Sequence, residues 1–343
     1  MDLQDTSDSQ KGGLIMSHVV VIGAGQAGSS LVVKLRTDGF DGDITLIGAE
    51  SVPPYQRPPL SKKYLLGDMA LERLFLKPEA FYGENGIDLR TGQPVTKVDA
   101  VAKTVEVGNE ILNYDNLVFT TGSSPRSLPA AIGGQLMGVH VVRGLSDVDA
   151  MAPEFTEDSH VLIIGGGYIG LEVAASLTKV GVKVAVFEAA DRLLARVASP
   201  LISDFFASLH NDAGVNLHIG SNVADFISDK GAFAGVTSAD GRTLPADMLV
   251  VGIGVTPETG LAEMAGCAVG NGILVGADMA TDVDGIYAIG DGALVQTDGT
   301  ATIGGVGAIG VAAGIRIESV HNAQDSGERV AAAMNGHAPP SHQ

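Results

Sequence analysis

The stretch HVVVIGAGQAG, residues His18–Gly28, decides the fold of this chain. Its apolar first half predicts a buried strand, and the glycine turn that follows leads into a helical stretch over residues 29–37. A second predicted strand, Ile44–Ile47, ends shortly before the acid Glu50. The order strand, glycine turn, helix, strand and acid predicts a βαβ unit that binds a dinucleotide.

The same arrangement recurs at residues His160–Gly170, HVLIIGGGYIG. A predicted helix over Leu171–Val180 and a strand over Lys183–Phe187 follow, and Glu188 comes directly after that strand. A single GxGxxG motif is weak evidence, and glycine turns in a sheet without any ligand stay the open alternative. Two copies in this context predict an α/β protein with two Rossmann-like dinucleotide-binding domains.

Each glycine of the motif has a separate physical role. The first, Gly23 or Gly165, permits a tight turn, and the third, Gly28 or Gly170, permits close packing of helix and strand. The second lets the backbone approach a pyrophosphate at the positive end of the helix. The acid accepts hydrogen bonds from ribose hydroxyls. Because Glu188 would repel a 2′-phosphate, we expect the second unit to prefer NAD over NADP.

Composition and charge disfavour several classes of protein. The 343-residue chain has 21 Lys and Arg against 40 Asp and Glu, a formal net charge of -19. That balance disfavours nucleic-acid binding and polybasic membrane contact, because both need cations. The single cysteine, Cys267, excludes an intrachain disulfide framework, a CxxC redox pair and a cysteine-based zinc site. The histidines show no metal-ligand spacing, so we predict no metal site. These features fit a cytoplasmic protein, and no signal segment or transmembrane span is evident.

Four segments carry a resemblance to a known family: Pro54–Lys62 (PYQRPPLSK), Gly165–Glu172 (GGGYIGLE), Tyr287–Asp291 (YAIGD) and Arg316–Ala323 (RIESVHNA). They resemble the flavoproteins with two dinucleotide-binding domains that include glutathione reductase. Within that superfamily they are most similar to the putidaredoxin-reductase-like branch, the ferredoxin reductases coupled to oxygenases. The resemblance implies a glutathione-reductase-like fold, in which a NAD-binding domain is inserted into a discontinuous FAD-binding domain.

The resemblance also implies the division of the chain into domains. Residues 16–128 and 258–336 would form the FAD-binding domain, and residues 129–257 would form the NAD-binding domain. We expect residues 1–15 to be a disordered leader and residues 337–343 to be a loose tail.

Functional residues follow from the same resemblance. Lys62 would lie beside N5 of the flavin, Glu172 would be its partner near the nicotinamide, and Asp291 would contact the ribityl or phosphate region. Arg57 has two open roles, which are to orient the flavin or to stabilise the Pro-rich loop. The whole set predicted to bind FAD and NADH is Gly23, Gly25, Gln26, Ala27, Gly28, Glu50, Arg57, Lys62, Thr121, Gly122, Gly165, Gly167, Tyr168, Ile169, Gly170, Glu188, Gly254, Gly290, Asp291, Glu318, Ser319 and Val320.

The function implied is transfer of electrons from NADH through FAD to a ferredoxin-type [2Fe-2S] protein. A thiol-dependent reductase or peroxidase is disfavoured, because the segment Pro53–Leu66 has no cysteine. Such ferredoxin reductases carry a further C-terminal domain, which we expect this chain to lack. An NADH oxidase and a non-catalytic nucleotide-binding flavoprotein therefore stay open as alternatives.

Overall fold

The computed structural model describes residues 17–296 and 314–337. The leader predicted over residues 1–15 lies outside the described residues, as does the tail after its first residue, His337. Within the described part of the chain, no helix is long and apolar enough to cross a membrane.

The described residues form short strands and seven α-helices. In chain order the strands are β1 (His18–Ile22), β2 (Asp43–Ile47), β3 (Ile87–Arg90), β4 (Val95–Asp99), β5 (Thr104–Val107), β6 (Glu110–Asn113), β7 (Asn116–Phe119), β8 (Ser123–Pro125), β9 (Val139–His140), β10 (His160–Ile164), β11 (Lys183–Glu188), β12 (Asn216–Ile219), β13 (Val223–Asp229), β14 (Ala232–Ser238), β15 (Thr243–Pro245), β16 (Met248–Val251), β17 (Val255–Pro257), β18 (Val269–Gly270), β19 (Gly272–Val275), β20 (Ile286–Ala288), β21 (Ala293–Gln296) and β22 (Gly314–Ile315). The helices are α1 (Gln26–Thr37), α2 (Glu79–Glu84), α3 (Leu145–Met151), α4 (Tyr168–Lys179), α5 (Pro200–Asp212), α6 (Gly260–Met264) and α7 (Val320–Met334).

The first glycine turn belongs to a parallel five-stranded sheet with the order β20-β7-β1-β2-β3. After their first residues, His18 and Asn116, the middle strands β1 and β7 are apolar and buried, as expected for a parallel sheet that is covered on both faces. Strand β20 lies far along the chain, after the second glycine turn, so this unit is discontinuous as predicted. Because the strands are parallel, their carboxyl ends meet at one edge, which carries the first glycine turn, Glu50, Thr121 and Asp291.

The second glycine turn belongs to another parallel sheet, with the order β12-β11-β10-β16-β9. An antiparallel sheet, β13-β14-β15, packs beside it. The two crossovers between the units are β8 and β17, which pair with each other in antiparallel fashion. The α/β fold with two dinucleotide-binding units is therefore confirmed, while the domain boundaries at 128/129 and 257/258 stay a prediction.

Two small sheets complete the first unit. One is the antiparallel meander β4-β5-β6, and the other has the order β18-β19-β21-β22. Cys267 is buried in the core of this unit beside Thr281, and burial raises the pKa of its thiol. Its environment is that of a packing residue.

The Pro-rich segment that follows β2 is part of the first unit in sequence but packs against the second unit. It was assigned to the first unit, but its buried residues Tyr55, Leu60, Leu65 and Leu74 join the core formed by β10, α3 and α4 of the second unit. The hydroxyl of Ser176 on α4 donates to the carbonyl of Ser61 at 2.7 Å. The segment therefore ties the two units together, because it is covalently part of one and buries its apolar side chains against the other.

The predicted starts of two helices were wrong. Helix α1 begins at Gln26 rather than Ser29, and α4 begins at Tyr168 rather than Leu171, because the last residues of each glycine motif already form the first helical turn. Helix α7 begins at Val320, and the side chain of the preceding residue, Ser319, caps its N-terminus.

A glycine follows the end of α7. The helix ends at Met334, and Gly336 has the left-handed backbone, φ 68°, that a glycine after a helix commonly adopts.

The third glycine of the first motif gives a test of this packing. A Cβ on Gly28 would lie 2.2 Å from the carbonyl oxygen of Gly23. We expect Gly28→Ala to lower the free energy of unfolding by about 1–3 kcal/mol, because the helix must move away from the turn. Urea unfolding would measure this change. Gly83→Ala in α2 is the matched control, since its Cβ would meet nothing within 4 Å and should be neutral or slightly stabilising. Equal stability of the two variants would contradict the packing argument.

Candidate active site

A cavity of about 530 Å³ opens at the carboxyl edge of the first sheet and extends to the start of α4 in the second unit. It gathers most of the predicted site from distant parts of the chain. The predicted residues that line it are Gly23, Gly25, Gln26, Ala27, Glu50, Arg57, Lys62, Thr121, Gly122, Tyr168, Ile169, Glu172, Gly290, Asp291, Glu318, Ser319 and Val320. Those outside its lining are Gly28, which packs α1 on the sheet, and Gly165, Gly167, Gly170, Glu188 and Gly254, which belong to the second glycine turn and its surroundings.

The first glycine turn leaves open space where a phosphate would bind. Gly25 directly precedes α1 and has extended backbone, φ -98°, and a Cβ built on it would meet nothing within 4 Å. No side chain caps the helix, and its first turn contains no acid. The first N–H groups of α1 are therefore available to an anion at the positive end of the helix, which fits the pyrophosphate of FAD.

An arginine that the sequence analysis missed lies in the wall of the same cavity. Arg143 Nη2 donates to Asp291 Oδ2 at 3.3 Å and lies beside Gly122. Burial lowers the pKa of the Arg143 guanidinium, and the nearby Arg57 adds to that effect. A cation held in a cavity wall suits a bound phosphate. Its position follows from Asp147, whose carboxylate accepts the backbone N–H groups of Arg143 and Gly144 at the start of α3.

Glu50 is not a free carboxylate. One oxygen pairs with Arg57 Nη2 at 2.6 Å, and the other accepts the hydroxyl of Tyr55 at 2.6 Å. Arg57 also donates to the carbonyl of Arg143 at 2.7 Å. These contacts support the loop-stabilising role for Arg57, since they tie the Pro-rich segment to the end of β2. Burial raises the pKa of Tyr55, so its hydroxyl stays protonated and continues to donate to Glu50.

A second cavity of about 400 Å³ lies next to the first and shares Gly23, Ala49 and Thr121 with it. Its walls include the apolar side chains of Val95 and Leu261. Two adjoining cavities at the end of one glycine turn are compatible with an extended dinucleotide.

Lys62 and Glu172 meet at the far side of the first cavity. Lys62 Nζ lies 2.5 Å from Glu172 Oε2, and the hydroxyl of Ser61 donates to the same oxygen at 2.6 Å. Lys62 also donates to the carbonyl of Pro58 at 3.0 Å. The pair joins the Pro-rich segment to α4, so a lysine from one unit and a carboxylate from the other form a single charged cluster at the cavity.

The second glycine turn repeats the geometry of the first. Added Cβ atoms on Gly165 and Gly170 would lie 2.2 and 2.1 Å from backbone oxygens, whereas one on Gly167 would meet nothing within 4 Å. Glu188 accepts the backbone N–H groups of Gly166 and Ala190, each at 2.7 Å. These bonds hold its carboxylate at the edge of the turn, where a ribose would bind.

The comparisons with known proteins agree on one family for this chain. The sequence model described as pyridine nucleotide-disulphide oxidoreductase matches residues 17–327. Rhodocoxin reductase of Rhodococcus erythropolis is 40% identical over 319 residues, which cover 93% of this chain and 72% of that protein. A ferredoxin–NAD(P)+ reductase of Sphingomonas sp. is 39% identical over 325 residues, covering 94% and 76%.

A solved structure supports the same assignment. The putidaredoxin reductase–putidaredoxin covalent complex matches with a TM-score of 0.88 and 36% identity, covering 95% of this chain and 77% of the matched chain. The chain therefore shares the fold of the matched chain in that complex.

The two open glycine positions allow the predicted sites to be separated. Gly25→Val should fill the space at α1 and yield a folded protein that retains little FAD. Gly167→Val should retain FAD and lose affinity for NADH, because the backbone can no longer approach the phosphates. Flavin absorbance per protein and an anaerobic NADH titration would measure the two effects. The reverse pattern of losses would show that the two turns had been assigned to the wrong nucleotides.

Proposed function

The chain belongs to the pyridine nucleotide-disulphide oxidoreductase family, and from that premise we propose that it transfers electrons from NADH through bound FAD to a small iron–sulfur protein of the ferredoxin type. Members of this family that act as ferredoxin reductases use FAD and a nicotinamide dinucleotide. The observation that carries the proposal is the shared cavity, where the first glycine turn and the start of α4 face one space beside Lys62 and Glu172.

The residues of the chain act mainly by positioning. FAD, when bound, supplies the chemistry that accepts a hydride and releases electrons singly. The open turn at Gly25 and the partly buried cation of Arg143 would hold its phosphates, while Glu188 would hold the ribose of NADH. Hydride transfer between aligned rings needs no acid or base from the protein, so the site requires contact distance and suitable nearby charge.

Lys62 supplies the nearby charge. Its ammonium group is held by Glu172 and by the carbonyl of Pro58, and Ser61 holds the carboxylate from the other side. A preorganised cation stabilises negative charge that arrives in the cavity, and the facing carboxylate keeps the lysine in one place. Lys62 is therefore the residue expected to affect the rate of hydride transfer.

The chemistry of the acceptor is limited by the cysteine content. Cys267 is the one cysteine of the chain and is buried in the first unit, away from the residues that line the cavity. A redox disulfide of the kind in the family name is therefore not formed within this chain. The relatives named for ferredoxin, rhodocoxin and putidaredoxin favour an iron–sulfur acceptor instead. We place the protein in the cytoplasm, which suits a chain with a single unpaired thiol.

Anaerobic spectroscopy tests the proposal. Purified protein should show flavin absorbance that bleaches on addition of NADH and returns when an oxidised [2Fe-2S] ferredoxin is added, because the flavin passes its electrons on. Ferricyanide serves as a control for one-electron transfer. If the bleached flavin is reoxidised by ferricyanide or dioxygen but not by any [2Fe-2S] protein, the proposed iron–sulfur partner is contradicted.

Lys62 can be tested against its neighbour. Lys62→Gln should lower the rate constant for flavin reduction by NADH by about tenfold or more, since one electrostatic contact to the developing charge is lost. Stopped-flow absorbance would measure it. Lys63→Gln makes the same charge change at an exposed side chain outside the cavity lining and should leave the rate unaltered. Equal effects of the two substitutions would assign Lys62 a nonspecific role.

A further inference from the structure

Thr120 is a buried threonine beside the first glycine turn that the sequence motifs did not mark. It follows β7 directly, and β7 pairs with β1 so that Phe119 lies opposite Ile22. The backbone N–H of Thr120 donates to the carbonyl of Ile22 at 2.8 Å. The residue therefore lies where β1 ends and the turn begins, and it forms part of the wall of the first cavity.

The side chain of Thr120 is bonded to the turn itself. Its hydroxyl donates to the carbonyl oxygen of Gly23 at 2.5 Å, and the carbonyl oxygen of Ile22 lies 3.2 Å away. The same Oγ1 lies 2.8 and 2.9 Å from the positions that Cβ atoms on Gly23 and Gly28 would occupy. The hydroxyl thus lies between the first and third glycines of the motif, in contact with both ends of the turn.

The bond to Gly23 fixes one peptide group of the turn. Gly23 has φ 119°, in a region that glycine adopts readily, and a glycine by itself leaves the backbone free to rotate. Because the peptide between Gly23 and Ala24 is trans, its N–H points opposite to its carbonyl. The N–H of Ala24 therefore faces away from Thr120, and no described residue accepts it. Since Ala24 lines the cavity, this N–H is a fixed donor that a ligand can use.

The second glycine turn has the same backbone arrangement without the hydroxyl. Gly252 occupies the position that corresponds to Thr120. Its N–H donates to the carbonyl of Ile164 at 2.7 Å, and its carbonyl oxygen lies 2.2 Å from an added Cβ on Gly165. Having no side chain, Gly252 cannot bond to the turn as Thr120 does.

The corresponding peptide group of the second turn is held from its other side. No described residue donates to the carbonyl of Gly165, whereas the N–H of Gly166 is bonded to Glu188 at 2.7 Å. Glu188 is also the acid expected at the ribose of NADH, so a ligand meets a carboxylate that is already bonded. In the first turn Thr120 holds the carbonyl instead and leaves the N–H of Ala24 open.

We propose that Thr120 is a positioning residue for FAD, whose hydroxyl gives the first glycine turn its cofactor-binding shape before FAD arrives. This inference rests on the proposed function, and it adds to the FAD site a residue that acts through the Gly23–Ala24 peptide. A loop that already has its bound shape loses little conformational entropy on binding, so the same contacts give a tighter complex.

The difference between the two turns matches the lifetimes of the two ligands. In the proposed function FAD stays on the protein through many turnovers, whereas NADH binds and NAD+ leaves in each one. Differences in affinity lie mostly in the dissociation rate, so a preformed turn should slow the loss of FAD. The turn beside Gly252 carries no such restraint, which suits a ligand that must leave.

FAD affinity, measured by ultrafiltration of serially diluted holoprotein, tests the proposal without catalysis. Thr120→Val keeps the shape of the side chain and removes the hydroxyl. It should raise the dissociation constant of FAD about tenfold, the size expected for one lost hydrogen bond to a buried carbonyl. Thr120→Ser keeps the hydroxyl and should therefore restore most of the affinity.

Thr281→Val is the matched control. The hydroxyl of Thr281 also reaches two backbone carbonyls of the first unit, Val283 at 3.2 Å and Ile286 at 3.0 Å, but the residue lines neither cavity. Its loss should make the apoprotein less stable to urea, as Thr120→Val does, and leave FAD affinity unchanged. A merely structural role for Thr120 would make the two variants alike in both measurements.

Binding at the second turn supplies a further readout. With FAD saturating, calorimetric titration of Thr120→Val with NAD+ should give the affinity of the unsubstituted protein, because the substitution leaves Gly165 and Gly166 in place.

Three results would overturn the inference. They are FAD affinity in Thr120→Val that equals that of Thr281→Val, a loss in Thr120→Ser as large as in Thr120→Val, and NAD+ affinity that falls together with FAD affinity. Failure of the proposed function is distinguishable from these. A protein that reduces no iron–sulfur acceptor, yet loses FAD affinity on Thr120→Val, would reject the acceptor and support the role of Thr120.

Discussion

The close contact between a glycine turn and the backbone beside it is the constraint on which both nucleotide sites depend. At Gly23 an added Cβ would lie 2.3 Å from the carbonyl oxygen of Thr120, and at Gly165 it would lie 2.2 Å from that of Gly252. Only a residue without a side chain permits this approach, which brings α1 and α4 down onto their sheets. The starts of these helices then lie at the carboxyl edge of a parallel sheet, where the loops that follow neighbouring strands also end.

The two nucleotide sites must also face each other. The Pro-rich segment brings this about, because it packs against the second unit. Lys62 and Glu172 have side chains that are 43% and 34% exposed, and an ion pair so open to water stabilises a protein by about 1 kcal/mol at most. The pair therefore does not hold the units together. Burial of Tyr55, Leu60 and Leu65 against the second unit supplies the larger energy, and the charged pair is placed by that packing.

Because the chain is strongly acidic, the few positively charged side chains at its nucleotide sites matter more for binding anionic ligands. Arg143 is held against Asp291 in the wall of the first cavity, and its side chain is partly buried there. A paired, partly buried arginine suits a ligand that stays bound, because its charge is already compensated within the fold.

The sequence by itself determined the two glycine motifs, the parallel strands that precede them and Glu188 as the acid of the second turn. These features follow from local patterns, since apolar runs, glycines and caps act on neighbours within a few residues. The discontinuous arrangement of the first unit was implied only by the resemblance of four segments to a known family. Only the tertiary structure decided that Arg143 meets Asp291 across 148 residues and that Ser61 holds Glu172 across 111. The structure also showed that α1 and α4 begin within the glycine motifs, earlier than the sequence pattern predicted. Such contacts depend on which segments pack together and where each side chain then points, and neither is written in the spacing of residues along the chain.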